Sequence, residues 1–149
     1  MINVYLPPDY TADAANAYPV LYMPDGGVLE DFPHIANTIE LFIVETFLLQ
    51  PELFDIYIAI SPSLWWNNEN LVQEAAAILG TAQNPDLDLY LTSADESDIA
   101  PPVSRLVDEI RKVGHPGVRL KYEPRPDLRH NNIYRSVAPA VLQSYYSGR

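Results

Sequence analysis

No cysteine occurs among the 149 residues, which excludes disulfide frameworks, cysteine-ligated metal sites and cysteine nucleophiles together. The same lack fits a reducing cytosol, so a cytoplasmic location is expected. Basic side chains are scarce too: 9 Lys and Arg stand against 20 Asp and Glu, a formal net charge of -11. A nucleic-acid partner requires a basic patch to neutralise phosphates, so none is expected. Anionic membrane surfaces are disfavoured for the same reason. No apolar run is long enough to cross a bilayer. The N-terminal MINVYLPPDY lacks the basic n-region and following apolar stretch of a signal peptide. The plain consequence of the acidity is solubility.

What remains is an ordinary globular composition, 48% hydrophobic and 19% charged, at a length that suits one domain over residues 1–149. A chain of this size can bury a core without metal or disulfide staples. Asn3 to Leu6 reads as a short strand closed by Pro7 and Pro8. Pro19 to Met23 (PVLYM) is a continuous apolar run, as in a strand buried on both faces, and Pro24, Asp25, Gly26 and Gly27 end it with turn chemistry. A helix is predicted from near Pro33 to Gln50, stopped by Pro51. Asp55 to Ile60 is a second buried-type strand, and Glu69 to Leu79 a helix with Gly80 as its stop. Leu87 to Thr92 is a third such strand. Pro101 to Val113 is an amphipathic helix ending at Gly114. Val118 to Glu123 alternates apolar and polar residues, as an outer strand would, and Ile133 to Tyr146 is a last helix. Strands alternating with helices imply βαβ units: an α/β fold of three layers, α/β/α, around a mainly parallel sheet.

In an open parallel sheet ligands bind beyond the carboxyl ends of the strands. The loops there carry Asp25, Gly26 and Gly27; then Ser61, Pro62, Ser63, Leu64, Trp65 and Trp66; then Ser93, Asp95, Glu96 and Asp98; and last Arg125, Asp127, Arg129 and His130. An acid loop and a histidine loop on one edge make an acid–histidine pair, the supporting part of an acyl-transfer triad. The order also suits an α/β-hydrolase, in which nucleophile, acid and histidine follow one another along the chain. The glycines could supply a backbone N–H to an oxyanion hole. The nucleophile is what the chain lacks. No G-x-S-x-G occurs, and Ser61, Ser63, Ser93, Ser97, Ser104, Ser136, Ser144 and Ser147 all lack the flanking glycines that a strained nucleophile elbow needs. On that criterion none is a good candidate.

The segments YPVLYMPDG (18–26), LFIVETFLLQPELFDIYIAISPSLWWNN (41–68) and YEPRPDLRHNNIYRSVAPAVL (122–142) resemble esterases of the α/β-hydrolase superfamily, relatives of the enterochelin and ferric-siderophore esterases. The SPSLWWNN stretch is the most specific part, and VYLPPDY (4–10) is similar to the strand before that family's oxyanion loop. The resemblance covers nearly the whole chain but has a gap. In the family a long stretch ending in the nucleophile elbow precedes the helix that LFIVETFLLQPELF resembles; here Ile39 and Glu40 run straight into Leu41 and Phe42. The family's first strand also has no counterpart at the N-terminus. The resemblance implies a reduced α/β-hydrolase fold. It matches His130 to the catalytic histidine, Asp25, Gly26 and Gly27 to the oxyanion-side loop, and the stretch Asp95 to Asp98 to the acid loop, with Glu96 and Asp98 leading. No residue matches the serine. Without the nucleophile strand in mid-sheet, its two neighbours must pair directly or leave backbone groups unpaired, so either a closed-up smaller sheet or a marginally stable domain is expected.

Plainer roles stand beside these. His34 and His115 read as ordinary, and three scattered histidines without ligand spacing predict no metal site. Asp95, Glu96 and Asp98 more often form a solvated cluster at a helix start than a cation site. Trp65 and Trp66 could line a substrate pocket, though aromatics beside a strand end are more often core or pocket wall. No cofactor is implied. The functional expectation is an esterase-family protein inactive as it stands, its partner a small-molecule ester or apolar ligand if any. The alternatives are a non-catalytic ligand-binding module, or a fragment or mis-drawn gene product of a full-length serine esterase. Exposed sheet edges could also pair chains into a homo-oligomer.

Overall fold

A computed structural model describes the main chain of residues 32–81 and 86–146. The strands expected at Asn3 to Leu6 and Pro19 to Met23, and the loop Asp25, Gly26 and Gly27, lie outside the described residues.

The first described helix, α1 (Phe32–Leu49), runs unbroken through the Glu40–Leu41 junction, as the reading from Pro33 to Gln50 required. Its inward positions follow the i, i+4, i+7, i+8 spacing of one helical face: Glu40, Val44, Phe47 and Leu48 are all buried. A short 3-10 turn, Pro51–Leu53, leads to β1 (Ile56–Ile60). Helix α2 (Asn70–Thr81) runs past Gly80 by one residue. It is followed by β2 (Leu87–Ser93), α3 (Ala100–Val113), β3 (Val118–Pro124) and α4 (His130–Tyr146). Gly114 ends α3 in the left-handed conformation, φ 61°, with its N–H donating to the Ile110 carbonyl. α4 begins three residues earlier than the sequence suggests. Asn132 Oδ1 accepts from the Arg129 N–H at 2.9 Å, the reach-back half of a capping box, and Glu96 Oε1 accepts from the His130 N–H at 2.9 Å. A cap donated from another loop is invisible to a local pattern.

The described strands form one parallel sheet in the order β1-β2-β3. Side-chain alternation sorts its two faces. On one face Tyr57, Ala59, Leu87, Leu89 and Leu91 pack with Val44, Phe47 and Leu48 of α1, Val72, Ala75 and Leu79 of α2, and Val103, Leu106, Val107 and Ile110 of α3. On the other, Ile60 and Tyr90 meet Ile133, Val137, Ala138 and Val141 of α4. The register, with Tyr57 opposite Leu89 and Ile58 opposite Tyr90, keeps each set on its own side. The architecture is therefore α/β with three layers, as expected. β3 is the half-buried outer strand the alternation called for, and Arg119, Lys121 and Glu123 charge it. Arg119 pairs with Asp88 at 2.8 Å and with Asp86. A second chain adding to this edge would have to bury those charges. Among the described residues no helix is long and apolar enough to cross a membrane.

Candidate active site at the carboxyl edge of the sheet

β1 ends at Ile60 and the chain turns sharply at Ser61, a non-glycine residue with φ 63°. Such a backbone is strained for an L residue, and here neighbours hold it. The Ser61 N–H donates to the Thr92 carbonyl at 2.9 Å, tying the turn to the end of β2. The Ser61 hydroxyl, fully buried at 0% exposure, lies 3.0 Å from Nδ1 of His130. The Ala94 N–H donates to the same oxygen at 3.4 Å. One serine thus joins the ends of two strands to the first residue of α4.

This corrects one step of the sequence argument. Missing glycines removed Ser61 from consideration, yet its oxygen is within hydrogen-bond reach of the histidine that the acid–histidine pattern singled out. No local signal predicts this, because the contact spans 69 residues of chain and depends on the turn at Ser61.

The two leading acids of the next loop stand differently. Glu96 reaches His130, whereas Asp98 is exposed and makes no described contact with it. Glu96 binds the main-chain N–H of His130 and so caps α4. Its second oxygen, Oε2, is buried without a hydrogen-bond partner among the described residues. In a triad the acid holds the imidazole itself; here the described bond of the acid is to the backbone. Asp95 is exposed and serves through its carbonyl, which accepts from Arg129 Nη1 at 3.1 Å. Arg125 pairs with Asp127 at 2.6 Å, and the guanidinium holds that carboxyl below the usual range.

Two further residues belong to the neighbourhood. Glu40, 5% exposed, accepts the Ile60 N–H at 2.6 Å through Oε2, one residue before Ser61. Burial pushes its carboxyl up to about 8, against the opposing pull of the Ile60 hydrogen bond. Tyr134 of α4 feels that carboxyl: burial first, then the charge of Glu40, raises its phenol. The helical spacing of Glu40 with Val44, Phe47 and Leu48 is a signal that could have placed this acid inward. Trp65 and Trp66 depart from the expectation of core or pocket wall, standing 47% and 60% exposed. They precede three consecutive left-handed residues, Asn67, Asn68 and Glu69, the last clamped by Arg105. An open groove of about 370 Å³ lies on the same edge, lined by Ser93, Asp95, Ser104, Tyr122, Pro124 and others, without either tryptophan. His115 has the ordinary structural role expected of it, its Nδ1 accepting from the Gly117 N–H at 3.2 Å.

No protein-family model matches the chain. Over 61 residues, 38% of its length, the chain is 36% identical to the siderophore enterobactin esterase of Emericella nidulans, and that stretch is 20% of the relative. Its fold matches the siderophore hydrolase EstA from Aspergillus nidulans with a TM-score of 0.54 at 19% identity, over 74% of this chain and 46% of that one. The chain thus spans a fifth of the length of the first protein and under half of the second. Together with the parallel three-layer sheet, the structural match shows an α/β-hydrolase fold, and the 61-residue stretch is similar in sequence to a siderophore esterase.

Proposed function

We propose that this chain is an esterase-type hydrolase relative that keeps the acid–histidine edge but does not hydrolyse esters at a rate that depends on it. One observation carries the reading: the hydroxyl found against His130, that of Ser61, is wholly buried, so an ester carbonyl has no path to it. Its engagement by His130 and by the Ala94 N–H, and the bond of Glu96 to the His130 backbone, support the same view. Loss of a triad nucleophile costs several orders of magnitude in rate. The similar proteins are named for siderophore hydrolysis, which points to a siderophore ester as the substrate class, and the absence of cysteine supports a cytosolic setting. The test is hydrolysis of a short p-nitrophenyl ester by the intact chain and by His130→Ala. Equal rates are expected; turnover that vanishes with the imidazole contradicts the reading.

A second reading, a non-catalytic ligand module, is favoured by the exposure of Trp65 and Trp66. Aromatic faces presented at a strand-end loop suit an apolar or aromatic ligand. Saturable quenching of tryptophan fluorescence by such a ligand, abolished in Trp66→Ala, supports it; quenching unchanged in that variant removes it.

A further inference from the structure

Ser61 has no exposure to solvent, so its hydroxyl hydrogen cannot be satisfied by bulk water. A hydroxyl carries one hydrogen and two lone pairs. One lone pair already receives the Ala94 N–H at 3.4 Å. For the hydrogen, the acceptor in reach among the described residues is His130 Nδ1, at 3.0 Å. The reverse arrangement, with Nδ1–H donating to the serine oxygen, leaves a buried O–H without an acceptor, which protein interiors avoid. The strained backbone at Ser61, φ 63°, and its N–H bond to the Thr92 carbonyl fix where that oxygen stands.

We propose that Ser61 is a positioning residue for His130: its hydroxyl donates to Nδ1 and holds the neutral ring in the tautomer that carries its proton on Nε2. The hydrogen bond made by one ring nitrogen decides what the other can do. A ring so held offers a hydrogen-bond donor at Nε2. That suits an acceptor oxygen facing Nε2, such as an ester carbonyl or a carboxylate, and does not suit removal of a proton by Nε2. Nδ1 is at the same time the nitrogen that a triad acid would hold, and a serine contacts it here. The proposal deepens the functional reading above, since it gives a chemical reason why Nε2 of the retained histidine does not act as a base. The tautomer is measurable whether or not any ester is turned over, so the two can fail separately.

The experiment is a two-bond proton–nitrogen correlation spectrum of the full chain, labelled at histidine nitrogen, at a pH where the ring is neutral. His130→Ala assigns the signal against those of His34 and His115. In the wild type, Nδ1 is expected in the unprotonated range and Nε2 in the protonated range, as one tautomer. The Ser61 hydroxyl proton is expected to exchange slowly enough to be seen. Ser61→Ala should give averaged shifts of a tautomer mixture, with Ser61→Cys in between because a thiol donates weakly. Ser61→Gly accommodates the positive φ while removing the hydroxyl, so it takes the place of Ser61→Ala if that variant does not fold. A protonated Nδ1 in the wild type overturns the proposal, and so does a His130 spectrum unchanged by removing the hydroxyl.

Discussion

Burial moves the carboxyl of Glu40 far from its ordinary value. Its carboxyl is neutral in the folded protein up to about pH 8, against 4.5 in an unconstrained chain. The sign of the effect follows. Below pH 4.5 both states hold the proton and burial costs nothing extra. Between 4.5 and 8 the folded state binds more protons than the unfolded one, so stability falls as pH rises; above 8 the full cost is present and the slope ends. The expected slope is about 1.4 kcal/mol per pH unit from this group. Denaturant unfolding at several pH values measures it. Glu40→Gln, which keeps an acceptor for the Ile60 N–H, should flatten that slope, and an unchanged slope would show that the carboxyl does not titrate as described. Glu40 also teaches what a sequence hides at this scale. Its inward position was legible from helical spacing, but the backbone N–H waiting for it at the end of β1 was not. Ser61 was illegible for a different reason: a positive φ in a serine has no compositional mark, and the flanking-glycine rule pointed away from it.

Elements were read more faithfully than sites, because periodicity and punctuation are local. The long unbroken α1 followed from Pro33 near its start and from Pro51 at its stop. The stop of α3 followed from Gly114, since the left-handed turn there favours a residue without Cβ. A Cβ there would meet the Arg111 carbonyl oxygen at 3.6 Å, an ordinary contact, so the cost of Gly114→Ala is conformational alone. Thermal or denaturant unfolding should register a loss of about 1 kcal/mol. Where an element depends on a partner elsewhere in the chain, the local reading falls short. α4 starts at His130 because Glu96 caps it across 34 residues. Glu96→Ala should therefore cost about 1 kcal/mol and fray the first turn of α4, seen as faster amide exchange near His130. Unaltered exchange there would mean that the bond to the backbone contributes nothing.

At the scale of the whole molecule, two hydrophobic clusters on opposite faces of one three-stranded sheet hold the described layers together. Leu89 and Leu106 sit on the larger side, buried to within 1%. Leu89→Ala should cost about 2–5 kcal/mol, a large share of the 5–15 kcal/mol typical of a domain. Measured stability near the bottom of that range would agree with a reduced sheet. The alternation of strands and helices made the fold class readable, since it dictates parallel pairing whatever the side chains do. The working edge was readable only as a set of loops: the sequence could say which residues share it, and the three-dimensional arrangement showed Glu96 on the main-chain N–H of His130. The account as a whole rests on a hydroxyl that touches a histidine and yet cannot be reached. The most direct measurement is the intact mass of the folded chain after exposure to a serine-reactive phosphonate. An unchanged mass is the result this account predicts; a stoichiometric adduct on Ser61, lost in His130→Ala, would contradict it.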